Sequence, residues 1–277
     1  MDTKVCVITG GGSGMGLAAA KFMTGKKVVI SGRTVSKLEN AVAELKKAGI
    51  DAVAHACDTS DRNSVKELAA FAASLGTITT VINSAGMSPT MAGPEKLLRV
   101  NALGTVYMNE EFSKLMGQGS VIEDIASNSA YSLPKILIPK KAYPLAMTNE
   151  DEFLKKTIKR ASIAKDEYGK AGFAYAISKN FVVWYAQYSA FKLGPKGIRV
   201  VSLSPGLIDT GMGDAEKEHG GYLLKFAAEH RMGTPEELGF AIASVADERN
   251  GYLAGVDVLT DGGATYGKDF LKLLSGK

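Results

Sequence analysis

Along this chain, short runs of almost uninterrupted apolar residues alternate with longer stretches in which apolar positions recur at helical spacing. The runs are KVCVITG (4–10), KVVISG (27–32), DAVAHACD (51–58), TTVINSAG (79–86), GSVIEDIAS (119–127), GIRVVSLSPG (197–206) and GVDVLTDGG (255–263). Between them the pattern predicts helices through MGLAAAKFM, over 35–48 and 62–75, around 103–116, near 173–193 and over 234–247. Strands without a polar face must be covered on both sides. The alternation therefore predicts a parallel sheet of about seven strands with helices on both faces, a single doubly wound α/β domain spanning 1–277.

One region leaves the pattern. Residues 132–172 contain three prolines and then one amphipathic helix, begun by Thr148 or Asn149, and read as an insertion. From Pro134 to Ala174 there are nine Lys/Arg against five Asp/Glu, an excess of +4 that equals the formal charge of the whole chain. Composition narrows the picture further. A pI of 8.8, a single Trp and no interleaving of basic and aromatic residues speak against a nucleic-acid surface. Cys6 and Cys57 lie in apolar segments with no Cys/His cluster, and His55, His219 and His230 are widely spaced, so no metal site is expected. The N-terminus lacks a signal-peptide pattern and no run is long enough to span a membrane, so the expected location is the cytoplasm.

Candidate chemistry begins where the first strand ends, in TGGGSGMG. Thr9, Gly10, Gly12, Ser13, Gly14, Met15 and Gly16 form a turn that opens a helix, where free amides and the helix dipole favour a pyrophosphate. The second strand ends in Gly32 and Arg33. A carboxylate at that place binds the ribose hydroxyls of NAD, whereas a small residue beside an arginine accommodates a ribose phosphate. NADP(H) is therefore the expected cofactor, with NAD(H) as the alternative.

In this order the motifs resemble the classical short-chain dehydrogenase/reductase family over nearly the whole chain. Thr9, Gly10, Gly14 and Gly16 match its glycine motif, Asp58 and Thr59 its acidic element beside the adenine, and Asn83, Ser84, Ala85 and Gly86 its Asn-Asn-Ala-Gly, with serine at the second position. VNALGT supplies Asn101, and SPGLIDT supplies Pro205, Gly206, Ile208 and Thr210. The resemblance implies a Rossmann fold and a catalytic tetrad of Asn, Ser, Tyr and Lys.

Three Tyr-x-x-x-Lys matches compete: Tyr131/Lys135, Tyr175/Lys179 and Tyr188/Lys192. Tyrosine and lysine must project from one helical face for the ammonium to favour the phenolate, and Pro134 breaks the first match. Tyr188 stands only 17 residues before Pro205, too few for the family's arrangement, whereas Tyr175 stands 30 before it. Tyr175 and Lys179 are the expected pair. Ser127 is the expected serine, with Ser129 as the alternative. By this resemblance Tyr175 is the general acid or base, Lys179 also holds the nicotinamide ribose, Ser127 bonds the substrate oxygen and Asn101 holds a water that links Lys179 to solvent.

The substrate side is less determined. Ser127 and Tyr175 are 48 positions apart, about 35 more than the family usually places between them, and this arrangement resembles the bacterial 3α-hydroxysteroid dehydrogenase/carbonyl reductase subgroup. Within 132–172, Ile136, Leu137, Ile138, Leu145 and Phe153 are expected to cover a flat apolar ligand. Lys140, Lys141, Lys155 and Lys156 are expected to attract an acidic tail such as that of a bile acid, or simply to solvate the helix. Residues 207–230, with Gly211, Gly213, Gly220 and Gly221 as hinges and Met212, Tyr222, Leu223 and Phe226 as lining, are read as a substrate-binding loop. The expected activity interconverts a ketone and a secondary alcohol, on a steroid or on a non-steroid carbonyl or 3-ketoacyl compound. A non-catalytic NADP(H)-binding sensor is the rival of another class. A homo-oligomer is expected, because helices of this kind commonly pack against a second subunit in the family.

Overall fold

The computed structural model describes residues 3–211 and 221–275. Met212, Gly213, His219 and Gly220 lie outside the described residues. The first half alternates regularly: β1 (Lys4–Thr9), α1 (Gly14–Ala20), β2 (Lys27–Gly32), α2 (Val35–Lys47), β3 (Ala52–Ala56), α3 (Arg62–Leu75) and β4 (Thr77–Asn83). Next come α4 (Pro94–Leu98), a π-turn (Arg99–Leu103), α5 (Gly104–Phe112) and β5 (Val121–Ile125). Short 3₁₀ turns then lead to α6 (Glu150–Ala161) and α7 (Glu167–Leu193), followed by β6 (Arg199–Pro205), α8 (Pro235–Val245), β7 (Asp257–Thr260) and α9 (Ala264–Leu274).

All seven strands pair in parallel in the order β3-β2-β1-β4-β5-β6-β7. Successive strand residues point to opposite faces, so β1 sends Val5 and Val7 into one core and Cys6 and Ile8 into the other. The first core packs under α3, α5, α6 and α7; the second packs under α1, α2 and α8. Chain order reverses between β1 and β4, and at such a point the strand ends diverge to leave a crevice.

Helix starts follow from side chains that accept otherwise orphaned amides. Asp61 caps α3, Asn149 caps α6 and Asp166 caps α7, while Thr234 and Glu237 form a reciprocal capping box behind Pro235. Asn149, not Thr148, is therefore the start of the insertion helix. The Asp166 cap explains why α7 begins six residues before the expected 173, since Gly169 and Gly172 hide its first turns in the sequence. Neither α4 nor α9 is anticipated by the pattern.

The 132–172 segment does not stand off as a cover. Tyr143 and Phe153 are fully buried, their rings 5.2 Å from that of Phe181 on α7, and the Tyr143 hydroxyl donates to Asn180 Oδ1 at 3.0 Å. Phe153 is thus a core residue and not the ligand cover expected of it, and Leu145 packs against the same cluster. Ile136 at 83% exposure remains open to solvent.

β5 carries two buried carboxylates on opposite faces. Asp124 accepts from Asn83 Nδ2 at 2.6 Å and Asn109 Nδ2 at 2.8 Å. Burial pushes its carboxyl up to about 7 against these hydrogen bonds and the Lys179 charge. Neither oxygen of Glu123 accepts a hydrogen bond among the described residues. Burial holds its carboxyl well above the usual range, although the Arg199 charge opposes this. The Arg199 guanidinium itself is taken up by the carbonyls of Val245, Asp247 and Leu253.

Candidate active site

Above the β1/β4 crevice lies a cleft of about 630 Å³. Its floor is the 9–16 turn. Gly10 has φ +68°, and a Cβ on Gly16 would lie 2.8 Å from the Gly10 carbonyl oxygen, so the first turn of α1 approaches the end of β1 at a distance no side chain permits. Thr9 Oγ1 accepts the Ala85 amide at 3.0 Å and ties the end of β1 to the turn after β4. All seven residues expected from the 9–16 turn line the cleft, as do Arg33, Asp58, Thr59, Ala85, Gly86 and Thr210.

Other expected cofactor residues do not line it. Asn83 is buried, its amide donating to Asp124 and to Asn109 Oδ1. Gly206 donates its amide to the Thr260 carbonyl, and Ile208 is buried and bridges to Gly233. Pro205, Gly206 and Ile208 thereby support the strand end that leads to Thr210, whose Cγ2 would lie 3.6 Å from a Cβ on Gly14.

At the adenosine end, a Cβ on Gly32 would meet only Leu38 Cδ2 at 3.6 Å, so the backbone does not require glycine there. Lys37, in the first turn of α2, lines the cleft together with Arg33, a second cation that sequence reasoning missed. Burial opposes ionisation of Asp58. The Ser60 hydroxyl and amide, with the charges of Arg33 and Lys96, outweigh burial and hold the carboxyl below its ordinary range.

At the other end the expected catalytic groups converge on Gly86. A Cβ there would lie 3.4 Å from Asn101 Oδ1 and 3.6 Å from Lys179 Nζ. Asn101 sits on the π-turn, and its side-chain amide clasps Met87, accepting the Met87 amide at 2.9 Å and donating to its carbonyl at 3.0 Å. The same Nδ2 also donates to Ser178 Oγ on α7 at 3.3 Å, and the Asn101 main-chain carbonyl accepts Thr105 Oγ1 at 2.9 Å. Lys179 is buried and donates to the Ile125 carbonyl at 3.0 Å, and its Nζ stands 5.8 Å from the centre of the Tyr175 ring. Tyr175 packs beside Met87, Val100 and Ala171.

Ser127 caps the 3₁₀ turn Asn128–Tyr131, its Oγ accepting the Ser129 amide and donating to Ser129 Oγ, both at 3.2 Å. Asn180, next to Lys179, donates to the Ala130 carbonyl at 2.8 Å and pins this turn to α7. Ser127 and Ser129 are thus both beside α7. The competing pairs are elsewhere: Tyr131 and Lys135 fall in separate 3₁₀ turns, and Tyr188 and Lys192 occupy the last turns of α7. Both cysteines are buried, which pushes the thiols up to about 12 for Cys6 and about 11 for Cys57. No described helix is long and apolar enough to cross a membrane.

The chain is similar to known proteins along almost its full length. A sequence model described as short chain dehydrogenase matches residues 4–136, and one described as Enoyl-(Acyl carrier protein) reductase matches 128–265. The short-chain dehydrogenase/reductase bsc3 of Alternaria brassicicola is 30% identical over 270 residues, covering 95% of this chain and 96% of the other. A 7alpha-hydroxysteroid dehydrogenase of Bacteroides fragilis is 25% identical over 269 residues, covering 95% of each. Among solved structures, a short chain dehydrogenase from Burkholderia cenocepacia in complex with NADP superposes with a TM-score of 0.75 at 23% identity, covering 95% of this chain and 97% of that one, a likeness of fold.

Proposed function

Because the chain belongs to the short-chain dehydrogenase/reductase family, we propose that it interconverts a ketone and a secondary alcohol with NADP(H), acting on a hydroxysteroid. The family membership makes it an oxidoreductase of the alcohol dehydrogenase and ketone reductase type that works with a nicotinamide dinucleotide. The observation that carries the proposal is the meeting of Lys179 Nζ and Asn101 Oδ1 at Gly86, a residue of the cleft lining, with Tyr175 packed behind Met87 and Val100 of the same lining.

The residues fit the cofactor. The glycine turn lines the cleft at the N-terminus of α1, where a pyrophosphate is favoured, and Arg33 and Lys37 supply two cations at a position without a competing carboxylate on Gly32. When bound, the nicotinamide supplies or accepts a hydride. Tyr175 gives its hydroxyl proton to the carbonyl oxygen as the alcohol forms, or removes it in the reverse direction. Lys179 stabilises the phenolate left behind and holds the ribose hydroxyls. Ser127, or Ser129 beside it, donates to the substrate oxygen where negative charge develops. Asn101, by clasping Met87, holds the turn through Gly86 against Lys179.

Two observations favour a steroid. A relative named as a hydroxysteroid dehydrogenase aligns end to end, and Tyr175 stands against an apolar wall of Met87, Val100 and Ala171. In this reading Tyr222, Leu223 and Phe226 line the substrate side, and the protein is a homo-oligomer of the 3α-hydroxysteroid dehydrogenase/carbonyl reductase type. The test is NADPH oxidation by the purified protein over ketosteroids, aryl ketones and 3-ketoacyl thioesters. Ketosteroid turnover that Tyr175→Phe abolishes supports the proposal. Turnover of only the other classes overturns the steroid assignment, and cofactor binding without any turnover overturns the enzyme.

A further inference from the structure

Five of the eight lysines of the insertion line a cavity of about 940 Å³ whose lining has no residue in common with the cleft. Six cations line it: Lys135, Lys140 and Lys141 from the 3₁₀ turns, and Lys156, Lys159 and Arg160 from the second half of α6. No carboxylate lines it. Between the cations the wall is apolar, formed by Ile136, Ile138, Pro139, Ala142 and Ile163, with Ile136 at 83% and Ile163 at 55% exposure.

The acids of this segment are elsewhere. Glu150, Asp151 and Glu152 occupy the opposite end of α6, and only Lys156 of the six reaches one of them, Glu152 at 3.5 Å. Lys135, Lys140, Lys141, Lys159 and Arg160 make no ion pair among the described residues. Cations in the last turn of a helix complement its dipole, which accounts for Lys159 and Arg160. It does not account for three lysines that a separate segment brings to the same hollow. Like charges gathered without counter-charges repel one another, and an anion seated between them relieves that repulsion.

From this convergence we infer that the cavity is a second binding site, for a small amphiphilic anion: an apolar body against Ile136, Ile138 and Ile163 carrying a phosphate, sulfate or carboxylate among the lysines. The two elements that form it leave the Ser127 turn and lead to the helix of Tyr175, so the occupant bridges the two arms of the chain between those groups. This site is independent of the substrate proposed for the cleft.

The experiment uses the full chain with the cleft saturated with NADP⁺ and decyl phosphate as probe, below its micelle threshold. Trp184, the only tryptophan, lies 5.4 Å from the ring of Tyr143 in one wall element and reports by fluorescence; circular dichroism checks that the fold is kept. Saturable binding is expected that weakens with added salt and weakens at least tenfold in the Lys140→Gln/Lys159→Gln/Arg160→Gln variant, with equilibrium dialysis as a second readout. Unchanged affinity in that variant overturns the inference. So does binding of inorganic phosphate as tight as that of decyl phosphate, which would mark an ordinary counter-ion site. Co-sedimentation with phosphatidylglycerol vesicles without saturable binding of soluble decyl phosphate overturns it in favour of a lipid surface.

Discussion

Replacing Glu123 by glutamine tests the electrostatics of the core more sharply than any change in the cleft. Glu123 is completely buried, its oxygens accept no hydrogen bond among the described residues, and burial holds its carboxyl well above the usual range. In the unfolded chain the same group releases its proton near pH 4.3. A carboxyl whose folded pKa is raised keeps its proton in the native state after the unfolded state has lost it, so stability is greatest below the unfolded value and falls as pH rises. The slope is at most about 1.4 kcal/mol per pH unit, the value for a group protonated in the native state and ionised in the unfolded one. Glutamine keeps the shape and does not titrate. Its buried amide adds an offset independent of pH, and Asp124, raised in the same direction, titrates in both proteins. Urea unfolding followed by Trp184 fluorescence at pH 5.5 and 7.5 should therefore show Glu123→Gln gaining on the wild type as pH rises, by no more than that slope allows. A stability difference that stays constant, within about 0.5 kcal/mol, refutes the reasoning and places a charged Glu123 in the native core.

Tyr175→Phe should lower turnover by about 10²–10⁴-fold while leaving NADPH affinity within a few-fold, read by NADPH oxidation and by cofactor fluorescence. Gly32→Asp, for which the backbone has room, should move the ratio of kcat/KM for NADPH over NADH at least tenfold toward NADH, and an unchanged ratio would remove Gly32 and Arg33 from cofactor selection. Ser127→Ala and Ser129→Ala, compared in the same assay, should differ by about tenfold or more, with Ser127→Ala the slower; equal rates would mean that neither hydroxyl alone carries the role. Phe153→Ala should cost about 3–5 kcal/mol in urea unfolding, because it empties a site filled against Phe181.

The sheet and the floor of the cleft were legible in the sequence because both rest on local rules. Fully buried parallel strands write themselves as apolar runs, and the 9–16 turn needs glycine where α1 meets β1. Tyr175 was separable from Tyr131 and Tyr188 by helix continuity and chain length. What was hidden depends on contacts distant in sequence. Asn83 looked like a cofactor residue until β5 brought Asp124 beneath it. Phe153 looked like a ligand cover because its helix is amphipathic, and the pattern cannot tell an apolar face that meets substrate from one that meets α7. Lys37 carried no signal of its own in the first turn of a helix that looks like any solvated one, and Met87 entered only through its two hydrogen bonds to Asn101.

The packing of Tyr143 and Phe153 onto α7 bears on how this protein can be changed. A surface loop between two reactive groups can be traded between relatives like a cassette. Here removal of residues 132–172 would strip two buried rings from Phe181 and lay open the flank of the helix that carries Tyr175 and Lys179. New specificities grafted into this scaffold must therefore keep those two aromatic anchors and vary only the outward stretch around Ile136, so the segment sets a boundary on how far the enzyme can diverge without refolding its own core.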